Sequence, residues 1–246
     1  GFDPLLPRTR TSLRAQIDRA EFGGRDFGGI ELDAELDSQR LSGRISDRDE
    51  ALRLLLSVSG TLTEREQRIG LSGSVFGFDL AALGVSPEPI GGSFALDASA
   101  SAAGKGAYAA RIALDSIEIR NKHRTDRIRP TSVSLHTDSA ATRAEAASGD
   151  LSLTFSTPQS ADSLIAALTR SARTLAGQID AQSIDMEQLK PALPDFALRV
   201  SAGPDNILNS LLKSRKIAFD ALNAEGANCD SLPVSIRLRT EGLAYG

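Results

Sequence analysis

The feature that most limits how this chain can fold is a two-residue alternation of apolar and polar side chains. In GIELDAEL, Ile30, Leu32, Ala34 and Leu36 fall on one side, and Glu31, Asp33 and Glu35 on the other. Successive side chains of a strand point to opposite faces, so the pattern predicts a sheet with one apolar and one wetted surface. It recurs at Ile69, Leu71 and Val75, at Phe94, Leu96 and Ala98, and at Tyr108, Ala110, Ile112 and Leu114. Val133 and Leu135, Leu151 to Phe155, Phe196 to Val200 and Leu232 to Leu238 continue it. Clean alternation marks antiparallel sheets, because doubly covered parallel strands read as unbroken apolar runs. Turn signals at Phe22-Gly23-Gly24, Gly104-Lys105-Gly106 and Gly226-Ala227-Asn228 fit a meander of hairpins. The expected fold is mainly β: a long, curved, groove-like antiparallel sheet with one long amphipathic helix and short capping helices.

The long helix is expected from Ala161, where Leu164, Ile165, Leu168, Ala172, Leu175, Ala176 and Ile179 follow a 3.6-residue stripe. Ser160 can cap its first turn, and Asp162 suits the positive end of its dipole. A membrane-surface helix carries more basic and bulky aromatic residues than this one. It is therefore expected to pack over the sheet or plug its end. A second, short helix is expected over residues 206–213, with Asp205 as its cap.

A short motif occurs three times: FDPLLPRTRTSLRAQIDRA from Phe2, FDLAALGVSPEPIGGSFALDASA from Phe78 and IDMEQLKPALPDFALRVSA from Ile184. Asp3 precedes Pro4, a residue suited to the first helical position. Asp79 precedes Leu80-Ala81-Ala82-Leu83 and the stop Gly84. Asp185 stands three residues before Gln188, an approximate capping box. All three aspartates are expected to cap turns, and the motif to extend one sheet. Residues 1–246 are thus expected to form a single elongated β-rich segment, with sub-repeats starting near 2, 78 and 184.

Several functional classes fit poorly. Lys plus Arg is 28 against 32 for Asp plus Glu, a net charge of −4, which ill suits a phosphate backbone and argues against nucleic acid as a partner. The basic stretch IRNKHRTDRIRP has no interleaved aromatics and reads as a solvated hairpin loop. His123 and His136 have no metal-ligand partner at strand or helix spacing, and no GxSxG, HExxH, Walker or GxGxxG motif is present. No catalytic residues, metal or cofactor are expected, and the chain is read as a non-enzyme. Cys229 is the single cysteine, so no internal disulfide can form. No apolar run reaches the ~18 residues a spanning helix needs. The chain opens on the repeated motif and is expected to be a piece of a longer protein.

The runs SGTLTEREQRIGLSGSVFGFDLAALGVSP and GDLSLTFSTPQSADSLIAALTRSARTLAGQIDAQSIDMEQLKPALPDFALRVSAG resemble the AsmA-like superfamily, and more closely TamB-type translocation and assembly module proteins of Bacteroidota. The likeness spans most of the chain and rests on pattern and spacing around degenerate D-L-x-x-L turns. It implies a segment of a periplasmic, inner-membrane-anchored protein, with the anchor outside this stretch. The implied role is outer-membrane biogenesis: lipid transport between the two membranes, outer-membrane protein assembly or protein secretion. The implied partners are phospholipid acyl chains and, through other parts of the protein, an outer-membrane barrel. It carries over no catalytic residues.

The alternation gives this a physical basis. Exposing a sixteen-carbon acyl chain to water costs on the order of 13 kcal/mol, at ~0.8 kcal/mol per CH₂. A curved sheet lined by Ile30, Leu32, Leu36, Ile69, Leu71, Val75, Phe94, Leu96, Ile112 and Leu114 removes most of that cost without directional bonds. The same residues also fit the closed core of a structural or adhesive β module, because alternation does not distinguish the two. An integral outer-membrane barrel is disfavoured, since aromatic girdles are expected there and Trp is absent.

Overall fold

The computed structural model describes residues 10–18, 20–22, 25–27, 29–104, 106–180, 185, 190, 193–214, 217–229 and 232–245. The chain divides into two compact units, Gly1–Gly104 with Ala110–Ser132, and Lys105–Ala109 with Val133–Gly246.

The first unit contains β1 (Arg10–Ile17), β2 (Ala20–Phe22), β3 (Arg25–Phe27), β4 (Ile30–Asp37), β5 (Arg40–Arg48), β6 (Leu52–Leu62), β7 (Glu66–Asp79), β8 (Gly91–Ala103), most of β9 (Ala107–Arg120) and β10 (Thr125–Ile128). Its strands pair in the order β1-β4-β5-β6-β7-β8-β9, with β10 on β9, and β2 and β3 form a separate two-stranded pair. Pairing from β1 through β8 is antiparallel. The β4–β5 hairpin turns on Ser38 and Gln39, both at positive φ (51° and 70°), the geometry that matches strand twist in a two-residue loop. Register shifts at Arg53/Leu54 and Val75/Phe78 mark bulges that bend and twist β6 and β7 locally, giving this sheet curvature. The basic stretch is indeed a hairpin: the Asn121 side chain accepts from the His123 and Arg124 amides, and Arg124 pairs with Asp126 at 2.7 Å.

The second unit contains most of β11 (Thr131–Thr137), β12 (Thr142–Ser148), β13 (Leu151–Thr157), α1 (Ala161–Asp180), β14 (Phe196–Ala202), α2 (Ile207–Ser214), β15 (Ile217–Ala218), β16 (Ala221–Cys229), β17 (Leu232–Glu241) and β18 (Ala244–Tyr245). Its sheet order is β11-β12-β13-β14-β16-β17, with β15 and β18 paired separately. With eight strands of the main sheet order in the first unit and six in the second, beside the two short pairs, the chain is mainly β and antiparallel with one long helix, as the alternation predicts. Gly226-Ala227-Asn228 is not a turn but lies within β16. A Cβ on Gly226 would stand 3.4 Å from the Phe196 ring, in van der Waals contact with it.

Helix α1 starts as expected. Ser160 accepts from the Ser163 amide at 3.3 Å, and its carbonyl takes the Leu164 amide at 2.9 Å. The orientation differs from expectation. The covered stripe is Ala167, Ser171 and Gln178, while Ile165 (62% exposed), Leu168, Leu175 and Ile179 (59%) face outward. The helix is seated by small side chains and a polar hook: the Gln178 side-chain amide exchanges two hydrogen bonds of 3.1 Å with the Asp185 backbone. Helix α2 is capped by Asn206 rather than Asp205. Asn206 Oδ1 accepts from the Asn209 amide at 2.9 Å, while the Asp205 amide donates to Asp150 Oδ2.

Candidate functional site

Register places most of the nominated lining residues together. Across the first unit, Leu32 stands opposite Ile45, Ile45 opposite Leu56, Leu56 opposite Gly73 and Gly73 opposite Leu96. The rows beside it carry Val58, Leu71 and Ala98, then Leu36, Leu41 and Ile69, then Leu54, Val75 and Phe94. Residues directly opposite in an antiparallel pair share a face. Ile30, Leu32, Leu36, Ile69, Leu71, Val75, Phe94 and Leu96 therefore lie on one side of the sheet. Ile112 and Leu114 lie on β9, the strand beside β8, with Ile112 exposed and Leu114 half-buried.

The face is unevenly covered. Leu36, Leu56 and Val75 are buried, but Ile30, Leu32, Ile45, Val58, Leu71 and Leu96 are only half-buried, and Ile69 is exposed. A closed sandwich buries its inner residues throughout. Among the described residues of the first unit there is no helix to form a second layer. Several buried residues gather near the β7–β8 turn, where Ala51, Val75 and Ile117 are covered and Phe78 meets Phe94 at 6.1 Å between ring centroids.

The second unit repeats the arrangement. Ala144 faces Phe155, Phe155 faces Leu198 and Leu198 faces Gly226, with Ala146, Leu153, Val200 and Ala224 in the next row. These residues are half-buried except Gly226, and Phe155 stacks on Phe196 at 6.3 Å. The buried residues cluster at strand ends. At one end Thr137 and Thr142 share a 2.8 Å hydrogen bond, and Thr137 Oγ1 accepts from the Ala161 amide where α1 begins. At the other, Ser148 Oγ accepts from the Ile207 amide at the start of α2.

Leu41, Ile45, Leu54, Leu56 and Val58 share the face but were not among the nominated residues. The signal for β5 was present in Leu41, Gly43 and Ile45, but glycine weakens the alternation. In β6 the run Leu54-Leu55-Leu56 hides it, since Leu55 points to the opposite face, across from Ser74.

Of the three expected caps, Asp79 is seen as one. Its Oδ1 accepts from the Ala81 and Ala82 amides at 2.9 and 3.1 Å, its carbonyl takes the Leu83 amide, and Gly84 follows at φ 73°. The segment is a turn that extends β7 rather than a helix. Asp3 lies outside the described residues, as do residues 186–189 that would complete a capping box with Asp185.

The opposite face is mostly polar, with Leu55 and Phe76 as exposed apolar exceptions, and is laced with exposed ion pairs, such as Arg14–Asp33 at 2.6 Å, Arg10–Glu35 at 3.3 Å and Arg199–Glu225 at 3.3 Å. Among the described residues no group of three or more His, Cys, Asp or Glu is placed to hold a metal. No helix among them is long and apolar enough to cross a membrane. No family model matches the chain, and neither does any curated protein or solved structure.

Proposed function

We propose that this chain is a non-enzymatic groove segment of a periplasmic envelope-biogenesis protein, holding phospholipid acyl chains on the apolar face of its sheet. The role fits transfer between inner and outer membranes or outer-membrane protein assembly, within a TamB-type, inner-membrane-anchored protein. What supports it is the row Leu32, Ile45, Leu56 and Leu96, aliphatic on four strands and, apart from the buried Leu56, only half-buried. Contact between methylene groups is non-directional, so a guest chain gains burial at about 25 cal/mol per Å² without breaking hydrogen bonds as it moves. Ion pairs on the other face keep that face wetted, leaving one side for a lipid.

Photo-crosslinking tests the reading. Photoreactive residues at Leu32, Leu71 and Leu96 are expected to capture acyl chains of phospholipid in proportion to occupancy, and residues at Glu31 and Asp33 to capture little. Equal capture on the two faces overturns the groove and favours the closed structural or adhesive module.

A further inference from the structure

The outer edge of β17 ends the sheet order of the second unit, and among the described residues no strand pairs with it there. Its side chains continue both faces: Ile236 (80% exposed) and Leu238 extend the apolar side, and Arg237 and Arg239 the polar side. An unpaired edge is a template for strand addition where it is not blunted by charge, proline or a bulge; Pro233 and the register shift at Ala227/Cys229 blunt the Leu232 end, and the regularly paired stretch available is Ser235–Glu241. Here the charge is of one sign in mid-strand. Arg237 reaches Glu225 at 3.8 Å, but Arg199 already binds that carboxylate at 3.3 Å. Arg239 stands opposite Asn223, a neutral residue. The polar side of β13–β17 is a shallow depression of about 450 Å³ lined by Arg199, Glu225 and Arg237.

The chain shows how it satisfies such a strand elsewhere. In β1, Arg10 and Arg14 alternate with Leu13 and Ala15 as Arg237 and Arg239 alternate with Ile236 and Leu238. The partner of β1 is β4, which sets Asp33 against Arg14 at 2.6 Å and Glu35 against Arg10 at 3.3 Å while Leu32 and Ala34 flank Ala15 and Leu13. We propose that the free edge of β17 docks an extended polypeptide strand of the same chemistry, acidic on one face and aliphatic on the other, by main-chain augmentation. A second copy of this chain does not fit. Neither β17 nor β1 carries a mid-strand carboxylate to answer Arg237 and Arg239, and antiparallel pairing of β17 with itself about Arg237 or Leu238 sets arginine against arginine, which is destabilising.

The probe is a labelled IELDAELD peptide, the sequence of β4, added to the intact chain. Expected results are saturable binding by anisotropy and slowed hydrogen exchange at β17 amides that are otherwise fast. Arg237→Glu with Arg239→Glu should weaken binding by roughly 2- to 30-fold, from two cross-strand charge pairs. A peptide with Lys at the four acidic positions should bind the doubly substituted chain better than the original. Neither variant residue is buried, so folding is not at stake. Absence of saturable binding, protection confined to β1 or β5, or indifference to the charge reversal each overturns the proposal. Concentration-dependent self-association through β17 would overturn it in favour of a second copy.

Discussion

Leu71→Asp separates an open groove from a closed core. Leu71 stands between Val58 and Ala98 on the apolar face and is half-buried. Full burial of a leucine contributes about 1.5–3 kcal/mol, so removing one at partial burial forfeits about 1 kcal/mol. The new carboxylate keeps much of its hydration, because the face is not covered. In a chain of 246 residues this corresponds to a Tm decrease of roughly 2–4 °C. An acyl chain lying on the face must strip that carboxylate of water or detour around it, and an unpaired buried charge costs several kcal/mol. Lipid capture should therefore fall at least about tenfold. Leu56→Asp is the contrast: Leu56 is 8% exposed, between Ile45 and Gly73, and the substitution should cost about 3–5 kcal/mol and melt the first unit. Both variants are measured side by side by thermal denaturation and by crosslinking to a photoreactive phospholipid. If Leu71→Asp unfolds the protein as thoroughly as Leu56→Asp, the face is a core and the reasoning fails. If it folds and captures lipid normally, the route lies elsewhere.

Gly60→Val should destabilise the first unit by about 1–3 kcal/mol in urea denaturation, since a Cβ at Gly60 would lie 2.5 Å from the Arg68 carbonyl oxygen; a neutral result would show that β6 and β7 need no such close approach. Acid stability should depend on Asp138 and Asp150. The Ala140 and Ala141 amides hold the Asp138 carboxyl below its usual range; desolvation pushes Asp150 up, but donors from the Asn206 side chain and the Asp205 and Gly203 backbone outweigh it and leave it low. A depressed folded pKa contributes stability that is fully present above the unfolded value of about 3.9 and is lost as pH falls through the folded value. Asp150→Asn should thus lower the urea midpoint at pH 7 and flatten its decline below about pH 4; an acid limb as steep as the parent's would exclude the Asp150 contribution.

The sheet was legible because its signal is local: which side of a strand a residue occupies depends only on counting by twos. The same rule explains what was missed. In β6 one extra leucine, Leu55, erased the count, although its partner Ser74 places it on the polar face. For α1 the apolar stripe was readable, but a stripe says which residues share a side and not which side meets the protein. That was decided by Gln178 and the Asp185 backbone, and by the small residues Ala167 and Ser171. Asp205 and Asn206 are equally good caps by composition. The choice fell to Asn206 because Asp150, 55 residues from Asp205, takes the Asp205 amide and orients the Asn206 side chain at the same time. Neither the seating of α1 nor this long-range choice leaves a periodic trace.

Where the polar groups are buried bears on how a guest would move. In the second unit they lie at the ends of the strands: Thr137, Thr142 and Thr157 at one end, Ser148 and Asn206 at the other. The rows between, from Ala144 and Phe155 to Leu198 and Val200, carry aliphatic and aromatic side chains, with no hydroxyl or amide. In the first unit the exception is Asp47, buried opposite Leu54 and holding the Asp49 amide at 2.9 Å. A hydrocarbon sliding over the middle rows meets no group whose hydrogen bond it must break, so its free energy along them varies little. At the polar groups of the strand ends and at Asp47, a guest that displaced one of their internal hydrogen bonds would lose about 1–3 kcal/mol, enough to slow it roughly 5- to 150-fold. On the proposed function, the strand ends and Asp47 would bound the stretch of each face open to an acyl chain, and that length, rather than any single residue, would set how much of the guest each unit holds.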